Sequence, residues 1–480
     1  MIRLFHTYFA IRTVVLGVLE ACLIALSFVV AAVVRLGASD AGLMLHYEQG
    51  LLKILLLSAA FILCMYYFDL YDSSILSQRR VAISRLIQAL GTMSILLAIV
   101  YYFYPPLELG RGIILIGLVI VVVMLVLCRE LFCALNGHPQ FAERTMIFGD
   151  ESSTARIVRE LQSRPELGLR VVGRILVAGK GGYRLNWERG IAVANAVATE
   201  EYPAEMSMTD AELPDAVALQ RVNRIIIALG DRRGRLPVEL LLAMKARGVS
   251  IRDGNEFYEQ VTGKIEIDSL RLGTLLFSSG FHLSRFIVVY KRLASMVLSI
   301  IGLILSLPLL PFVALAIKLS SPGRLFYHQK RAGRNDTIFY CHKFRTMRAD
   351  AEADTGPTWA GDGDPRITPV GRFLRLTRLD EIPQLWNVLK GDMCLVGPRP
   401  ERPEFIEWLK QEIPNYNLRH TVRPGITGWA QIRYKYGNSV EDAKEKLRYD
   451  LFYIKNMSAG LDSLIFFETI KIILMGRGAK

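Results

Sequence analysis

The chain has 480 residues, 52% of them hydrophobic, and a mean hydropathy of +0.30, which exclude a single compact soluble core and point to a membrane protein. Lys and Arg number 58 against 45 Asp and Glu, and the resulting +13 suits an anionic partner, either lipid headgroups or phosphorylated substrates. A disordered chain, a collagen-like repeat and a disulfide scaffold are excluded as well, since the six Cys form no CxxC pair. Nucleic acid would fit the charge alone, and no recognisable module supports it.

The first apolar stretch, residues 14–34, is broken only by Glu20 and is long enough to span the hydrocarbon as a helix. Residues 51–68, 86–104 and 113–127 make three more spans, so residues 1–135 are predicted to be a four-helix transmembrane region. Arg3 and Arg12 precede the first span, and Arg79, Arg80 and Arg85 lie between the second and third, which places those segments in the cytoplasm. Loops 40–48 and 105–109 then face outward, and residue 135 returns to the cytoplasm. The N-terminus shows no cleavable signal pattern. Glu20 reads either as a functional intramembrane carboxylate or as a group packed inside the bundle.

Residues 140–265 alternate short apolar runs with amphipathic ones: 145–148, 152–162, 171–177, 224–229, 238–245 and 249–252. A small parallel sheet with covering helices follows, a Rossmann-like α/β domain. The turn after its first strand, Gly149-Asp150-Glu151-Ser152-Ser153, lacks the G-x-G-x-x-G that brings backbone to a pyrophosphate, and its acidic residues would repel phosphate. A structural, oligomerising or sensing role is expected in place of a dinucleotide site. Residues 266–288 read as a linker.

Residues 293–317 are apolar throughout, yet Lys291 and Arg292 precede them while Lys318, Arg324, Lys330, Arg331 and Arg334 follow. Both flanks obey the cytoplasmic charge rule. Pro308 and Pro311 interrupt the stretch, each removing a backbone donor. Residues 289–320 are therefore expected to enter the membrane, bend and leave on the same face; an ordinary proline-kinked span is the alternative.

Residues 321–480 are soluble in character and carry short motifs. Lys343 and Arg345, in K-F-R-T-M, stand two apart at the end of a strand and would share a face, either clamping a phosphate or forming a solvated edge. Arg378-Leu379-Asp380-Glu381-Ile382-Pro383-Gln384 opens a helix closed by Gly391, with Asp380 near the N-cap, where two adjacent carboxylates can share one site or merely cap. Val396-Gly397-Pro398-Arg399-Pro400 presents Arg399 on a rigid turn, and R-P-G-I-T-G-W-A-Q (423–431) places glycines beside Trp429, which is either a stacking platform or a core residue. Residues 461–474 are apolar and read as interfacial or core.

From about Lys291 onward, K-F-R-T-M, L-D-E-I-P-Q-L-W-N-V-L-K-G-D-M, V-G-P-R-P and R-P-G-I-T-G-W-A-Q together resemble the bacterial sugar transferases, the monotopic polyprenyl-phosphate hexose-1-phosphate transferases. With the N-terminal spans and the α/β domain, the chain looks like the large members that begin exopolysaccharide or O-antigen assembly. The resemblance implies an enzyme of the bacterial inner membrane, with a cytoplasmic catalytic domain that moves a sugar 1-phosphate from a UDP-sugar to undecaprenyl phosphate and releases UMP. It implies Mg²⁺, with Asp380 as nucleophile and metal ligand and Glu381 as its partner. Lys343, Arg345, Arg378 and Arg399 become phosphate contacts, and a homodimer is compatible. Two departures stand out: Leu307, not Ser, precedes Pro308, and Cys394 occupies a position where Ser is usual. A membrane-bound metabolite sensor or scaffold in polysaccharide assembly is the rival reading, and activity that depends on Asp380 discriminates the two.

Overall fold

The computed structural model describes residues 2–4, 7–47, 49–76, 78–137, 142–177, 183–187, 205–208, 212–230, 235–267, 280–281, 284–348, 351, 364–434, 437 and 439–475. Two compact units divide the chain between Phe257 and Tyr258, with Arg3–Thr7 grouped in the second. Most of the expected linker 266–288 lies outside the described residues.

In the N-terminal unit, α1 (Ile11–Leu36), α3 (Gly50–Tyr67), α4 (Arg79–Phe103) and α5 (Arg111–Gly137) are long and apolar enough to cross a membrane. Ile24, Phe28, Ile54, Phe61, Leu86 and Val121 form the interior of this bundle, while Val18, Val34, Ile95, Leu115 and Val119 are exposed on its outside. An apolar exterior over a packed apolar interior is what lipid as solvent permits. A further helix, α2 (Ala38–Tyr47), occupies much of the stretch expected to be an outward loop. Glu20 is fully buried: Arg129 of α5 lies 2.7 Å from one carboxylate oxygen, and the Tyr71 hydroxyl donates to the other at 2.7 Å. It packs inside the bundle as one half of an ion pair.

The same unit contains a six-stranded sheet. Its strands are β1 (Glu143–Gly149), β2 (Leu169–Val177), β3 (Tyr183–Trp187), β4 (Glu205–Met208), β5 (Arg224–Ala228) and β6 (Ser250–Asp253), in the spatial order β4-β3-β2-β1-β5-β6. Strands β2, β1, β5 and β6 run parallel, whereas β3 and β4 add an antiparallel edge, and four helices, α6 (Glu151–Gln162), α7 (Leu213–Leu219), α8 (Val238–Ala246) and α9 (Gly254–Thr262), alternate with them along the chain. The central strands are apolar on both faces, with Met146, Ile147, Phe148, Ile225 and Ile226 all buried, as parallel strands covered on both sides require. At the end of β1 the Asp150 carboxylate accepts from Gly230 N at 3.1 Å and pairs with Arg235 at 3.1 Å. This turn therefore engages the basic group at hand with a carboxylate of its own.

The C-terminal unit contains two apolar helices in succession, α10 (Arg285–Ser306) and α11 (Leu310–Ser320). The single apolar stretch of the sequence is thus broken at residues 307–309. Pro308 lies in the break, and Pro311 falls in the first turn of α11, where a missing N–H is tolerated. The break's polar groups are satisfied locally: Leu309 N donates to Ser306 O at 2.9 Å, and the Ser306 hydroxyl donates back to Leu303 O at 2.8 Å. A hydroxyl bonded back into its own helix favours bending, so Ser306 serves the break from one position before the expected one.

An antiparallel hairpin follows, β7 (Phe326–Ala332) with β8 (Ile338–Phe344), then α12 (Pro369–Leu376), a 3₁₀ turn at Leu379–Glu381, and α13 (Gln384–Lys390). Strands β9 (Cys394–Val396) and β10 (Gly425–Thr427) pair in parallel. Around them pack α14 (Pro403–Glu412), α15 (Trp429–Arg433), α16 (Val440–Lys455) and α17 (Ala459–Leu474). The core gathers Cys341, Val388, Met393, Leu447, Leu451, Phe452 and Ile465. Residues 461–474 are core on one side, through Leu461 and Ile465, and exposed on the other, through Ile473 and Leu474. Cys394 is a small buried group in β9.

Candidate active site

The Asp380–Glu381 pair lies ahead of the helix and not in its first turn. Helix α13 begins only at Gln384, because Pro383 has no N–H to return to Leu379 O; Ile382 N makes that bond at 3.2 Å in 3₁₀ fashion. Arg378 adopts φ 59°, a left-handed conformation uncommon for a non-glycine residue, and ends α12 abruptly. The two carboxylates sit on this tight turn and are both buried.

Their surroundings differ. One oxygen of Glu381 faces three cations: Arg399 at 2.5 Å, Lys343 at 3.5 Å and Arg378 at 3.7 Å. Burial alone would push the Glu381 carboxyl up, but these three charges together hold it well below the usual carboxylate range. Asp380 has no hydrogen bond or ion pair among the described residues. Burial, and then the Glu381 charge, raise its pKa against the longer-range pull of Lys343, Arg375 and Arg399. One carboxylate is locked as an anion and the other is left uncommitted, a division that marks chemistry more often than structure.

Lys343 lies at the end of β8 on the same side as the core residues Phe339 and Cys341, and so extends past the core to Glu381. Arg345 does not share that face, because β8 ends at Phe344. Its guanidinium donates to Ser321 O at 2.6 Å and Pro322 O at 2.8 Å, tying the end of α11 to the end of the hairpin. Arg399 arrives from the turn after β9. Gly397 and Gly425 make that turn fit: a Cβ on Gly425 would lie 2.1 Å from Gly397 N, so the two motifs touch backbone to backbone. Trp429 is a core residue, 2% exposed, stacked on Phe452 and donating to Gly263 O at 2.7 Å.

Two contributors were not foreseen. Arg375 of α12 is held by Thr346, to which its Nε donates at 2.9 Å; burial lowers its pKa, and Asp380 is the foremost charge opposing that shift. The i, i+3 spacing of Arg372, Arg375 and Arg378 was the available signal. Asn387, fully buried, accepts from His342 N at 3.0 Å and donates to Tyr340 O at 2.7 Å, which latches α13 onto β8.

Mg²⁺ favours oxygen ligands and is held by one or two carboxylates together with substrate phosphates. No group of three or more His, Cys, Asp or Glu suited to a metal occurs among the described residues. The uncommitted Asp380 carboxylate is a donor set that fits an ion brought in with a phosphate.

A buried carboxylate pair ringed by arginines and a lysine thus lies in the same unit as two apolar helices, an arrangement that points to a membrane-associated enzyme. A model of the family described as bacterial sugar transferase matches residues 286–476. A Rhizobium leguminosarum exopolysaccharide production protein, PSS, is 42% identical over 188 residues, covering 38% of this chain and 94% of that protein. The chain belongs to the bacterial sugar transferase family.

An Aeromonas hydrophila UDP-N-acetylgalactosamine-undecaprenyl-phosphate N-acetylgalactosaminephosphotransferase is 44% identical over 225 residues, 46% of this chain and 52% of that protein. An Escherichia coli UDP-glucose:undecaprenyl-phosphate glucose-1-phosphate transferase is 44% identical over 182 residues, 38% of this chain and 39% of that protein. The chain thus spans about half or less of the length of these two curated relatives.

Proposed function

We propose that the protein transfers a sugar 1-phosphate from a UDP-sugar to undecaprenyl phosphate at the cytoplasmic face of the bacterial inner membrane, initiating exopolysaccharide or O-antigen synthesis. The observation that carries this reading is the division of labour at Asp380 and Glu381, one carboxylate unpaired and the other fixed by three cations. An Asp380 oxygen attacks the sugar-bearing phosphorus, the bond from that phosphorus to the bridging oxygen breaks, and UMP leaves. A phosphate oxygen of the lipid then attacks the same phosphorus, the acyl phosphate bond breaks, and Asp380 is restored as a carboxylate. Arg399, Lys343 and Arg378, already gathered at Glu381, together with Arg375 supply positive charge for the phosphoryl oxygens. Mg²⁺, held by Asp380 and the diphosphate, would supply further neutralisation of the transferring group.

The lipid substrate requires a site at the membrane surface. Lys291 and Ser295 in the first half of α10 bond to Asp462 and Leu395, while Val313 and Ile317 of α11 pack on Phe344 and Leu374. Both arms of the broken hydrophobic segment thus lie against one α/β domain, which supports a re-entrant membrane hairpin. Around the break Leu305, Leu307, Leu309 and Phe312 are exposed, as lipid contact requires. The four N-terminal helices are read as transmembrane spans and the parallel sheet as a Rossmann-like domain.

Purified protein, undecaprenyl phosphate, Mg²⁺ and a panel of UDP-hexoses and UDP-N-acetylhexosamines provide the test. UMP release and acid-stable labelling of the protein by radiolabelled sugar phosphate are expected, both lost in Asp380→Asn. Full UMP release by Asp380→Asn would defeat the covalent mechanism.

A further inference from the structure

Arg399 reaches Glu381 from residues 397–401, a turn in which two prolines remove amide donors. Its carbonyls hold it in place. Pro398 O accepts from Gly425 N at 2.9 Å, Arg399 O from the Arg419 guanidinium at 2.9 Å, Pro400 O from Arg331 at 3.0 Å, and Glu401 O from Ala332 N at 3.0 Å. Two of the four donors are charged side chains, which bond roughly twice as strongly as neutral ones.

Arg419 is itself a constructed feature. It is 6% exposed, its Nη2 lies 2.9 Å from an Asp450 carboxylate that is 1% exposed, and its Nη1 donates to the buried Tyr416 hydroxyl. A buried ion pair is poor value as a source of stability alone, because apolar residues of similar volume often do as well. What apolar residues cannot do is donate to the Arg399 carbonyl. Among the described residues no hydrogen bond or ion pair joins Arg419 to Asp380 or Glu381, so any influence it has on them passes through Arg399.

We propose that Arg419, oriented by Asp450 and Tyr416, is a positioning residue that fixes the Arg399 turn and so keeps the Arg399 guanidinium on Glu381. This rests on the reading of the Glu381 cluster as a phosphoryl-transfer site. A misplacement of about 1 Å in such a group lowers turnover on the order of 100-fold.

The test uses the full chain in detergent, as wild type, Arg419→Lys, Arg399→Lys and the double variant. Three readouts are taken: UMP release, amide hydrogen exchange over 397–401, and thermal unfolding. Arg419→Lys is expected to speed exchange in the turn and to lower kcat about tenfold or more, with a smaller change in KM. In the Arg399→Lys background the same substitution should change kcat by less than about twofold, the non-additivity of residues acting as one unit. Multiplicative losses, or an unchanged turn, overturn the proposal. Asp450→Asn is a second route to the same outcome, and if that variant fails to fold, Arg419→Lys decides. A wild type that releases no UMP with any UDP-sugar, while Arg419→Lys still loosens the turn, sinks the transferase reading and not the positioning. An active wild type with Arg419→Lys unaltered in UMP release and in exchange over 397–401 sinks the positioning alone.

Discussion

Arg399→Ala is the substitution whose effect follows most directly from the distances. Glu381 Oε1 has Arg399 at 2.5 Å, Lys343 at 3.5 Å and Arg378 at 3.7 Å. Coulomb attraction falls as the inverse of distance, so Arg399 supplies about two-fifths of the total and each of the others about three-tenths. Removing it lets the Glu381 pKa rise and, in the proposed mechanism, takes away the strongest donor near the transferring phosphoryl group. Loss of one such preorganised donor costs roughly 100- to 1,000-fold in turnover. Arg399→Ala belongs in that range, with Lys343→Ala and Arg378→Ala each less severe. Initial rates of UMP release at saturating UDP-sugar, with unfolding temperatures measured alongside, provide the assay. Arg399→Ala retaining more than a tenth of wild-type turnover, or Lys343→Ala proving the more damaging, would refute the electrostatic ranking.

The proposed mechanism needs Asp380 ionised, and its raised pKa would place the acid limb of the pH–rate profile above that of an ordinary aspartate; Glu381→Gln removes the like charge and should move that limb to lower pH. An acid with a raised folded-state pKa stabilises the fold below its unfolded pKa, and that contribution is lost as pH rises through the folded one. Asp380→Asn should therefore be inactive yet unfold at a higher temperature than wild type near neutral pH, and a lower unfolding temperature there counts against the burial argument. Asn387→Ala leaves His342 N–H and Tyr340 C=O without their buried partner, at a cost of about 2–4 kcal/mol readable by denaturant titration. In the bundle, Glu20→Ala strands the Arg129 charge at a cost of about 3–5 kcal/mol, and adding Arg129→Leu should restore much of the lost folded protein in detergent extracts.

The long apolar helices were legible because hydropathy over about 20 residues is a local property, and their partners were not, because pairing is set by packing. Glu20 was visible as an anomaly, but Arg129, more than a hundred residues away and in the last third of another apolar helix, could be matched to it only in three dimensions. The parallel strands of the middle domain emerged from alternation alone, whereas helix α2 did not, since Ala38–Tyr47 mixes Asp40 and His46 with apolar residues and resembles a polar loop. Where the reading of the site went astray, one residue was responsible each time. Pro383 delays the helix by a turn and places the carboxylate pair on a 3₁₀ corner; the end of β8 at Phe344 turns Arg345 away from Lys343.

Those two displacements divide the labour of K-F-R-T-M more finely than charge alone suggests. Lys343 reaches Glu381, Arg345 fastens the end of α11, and Thr346 orients Arg375 toward the neighbourhood of Asp380. Three residues within one short motif therefore touch the carboxylate turn, the end of the apolar helix α11 and the arginine whose charge opposes the Asp380 shift. Contiguity of this kind ties the position of the apolar hairpin to that of the carboxylates, because a shift of α11 pulls on Arg345, whose backbone is continuous with Lys343 and Thr346. The proposed reaction, which joins a water-soluble sugar nucleotide to a lipid phosphate, would need that linkage, since its nucleophile must sit at a fixed depth relative to the membrane surface. The clustered basic residues thus serve two ends, with Lys343 in the charge balance of the site and Arg345 in its placement.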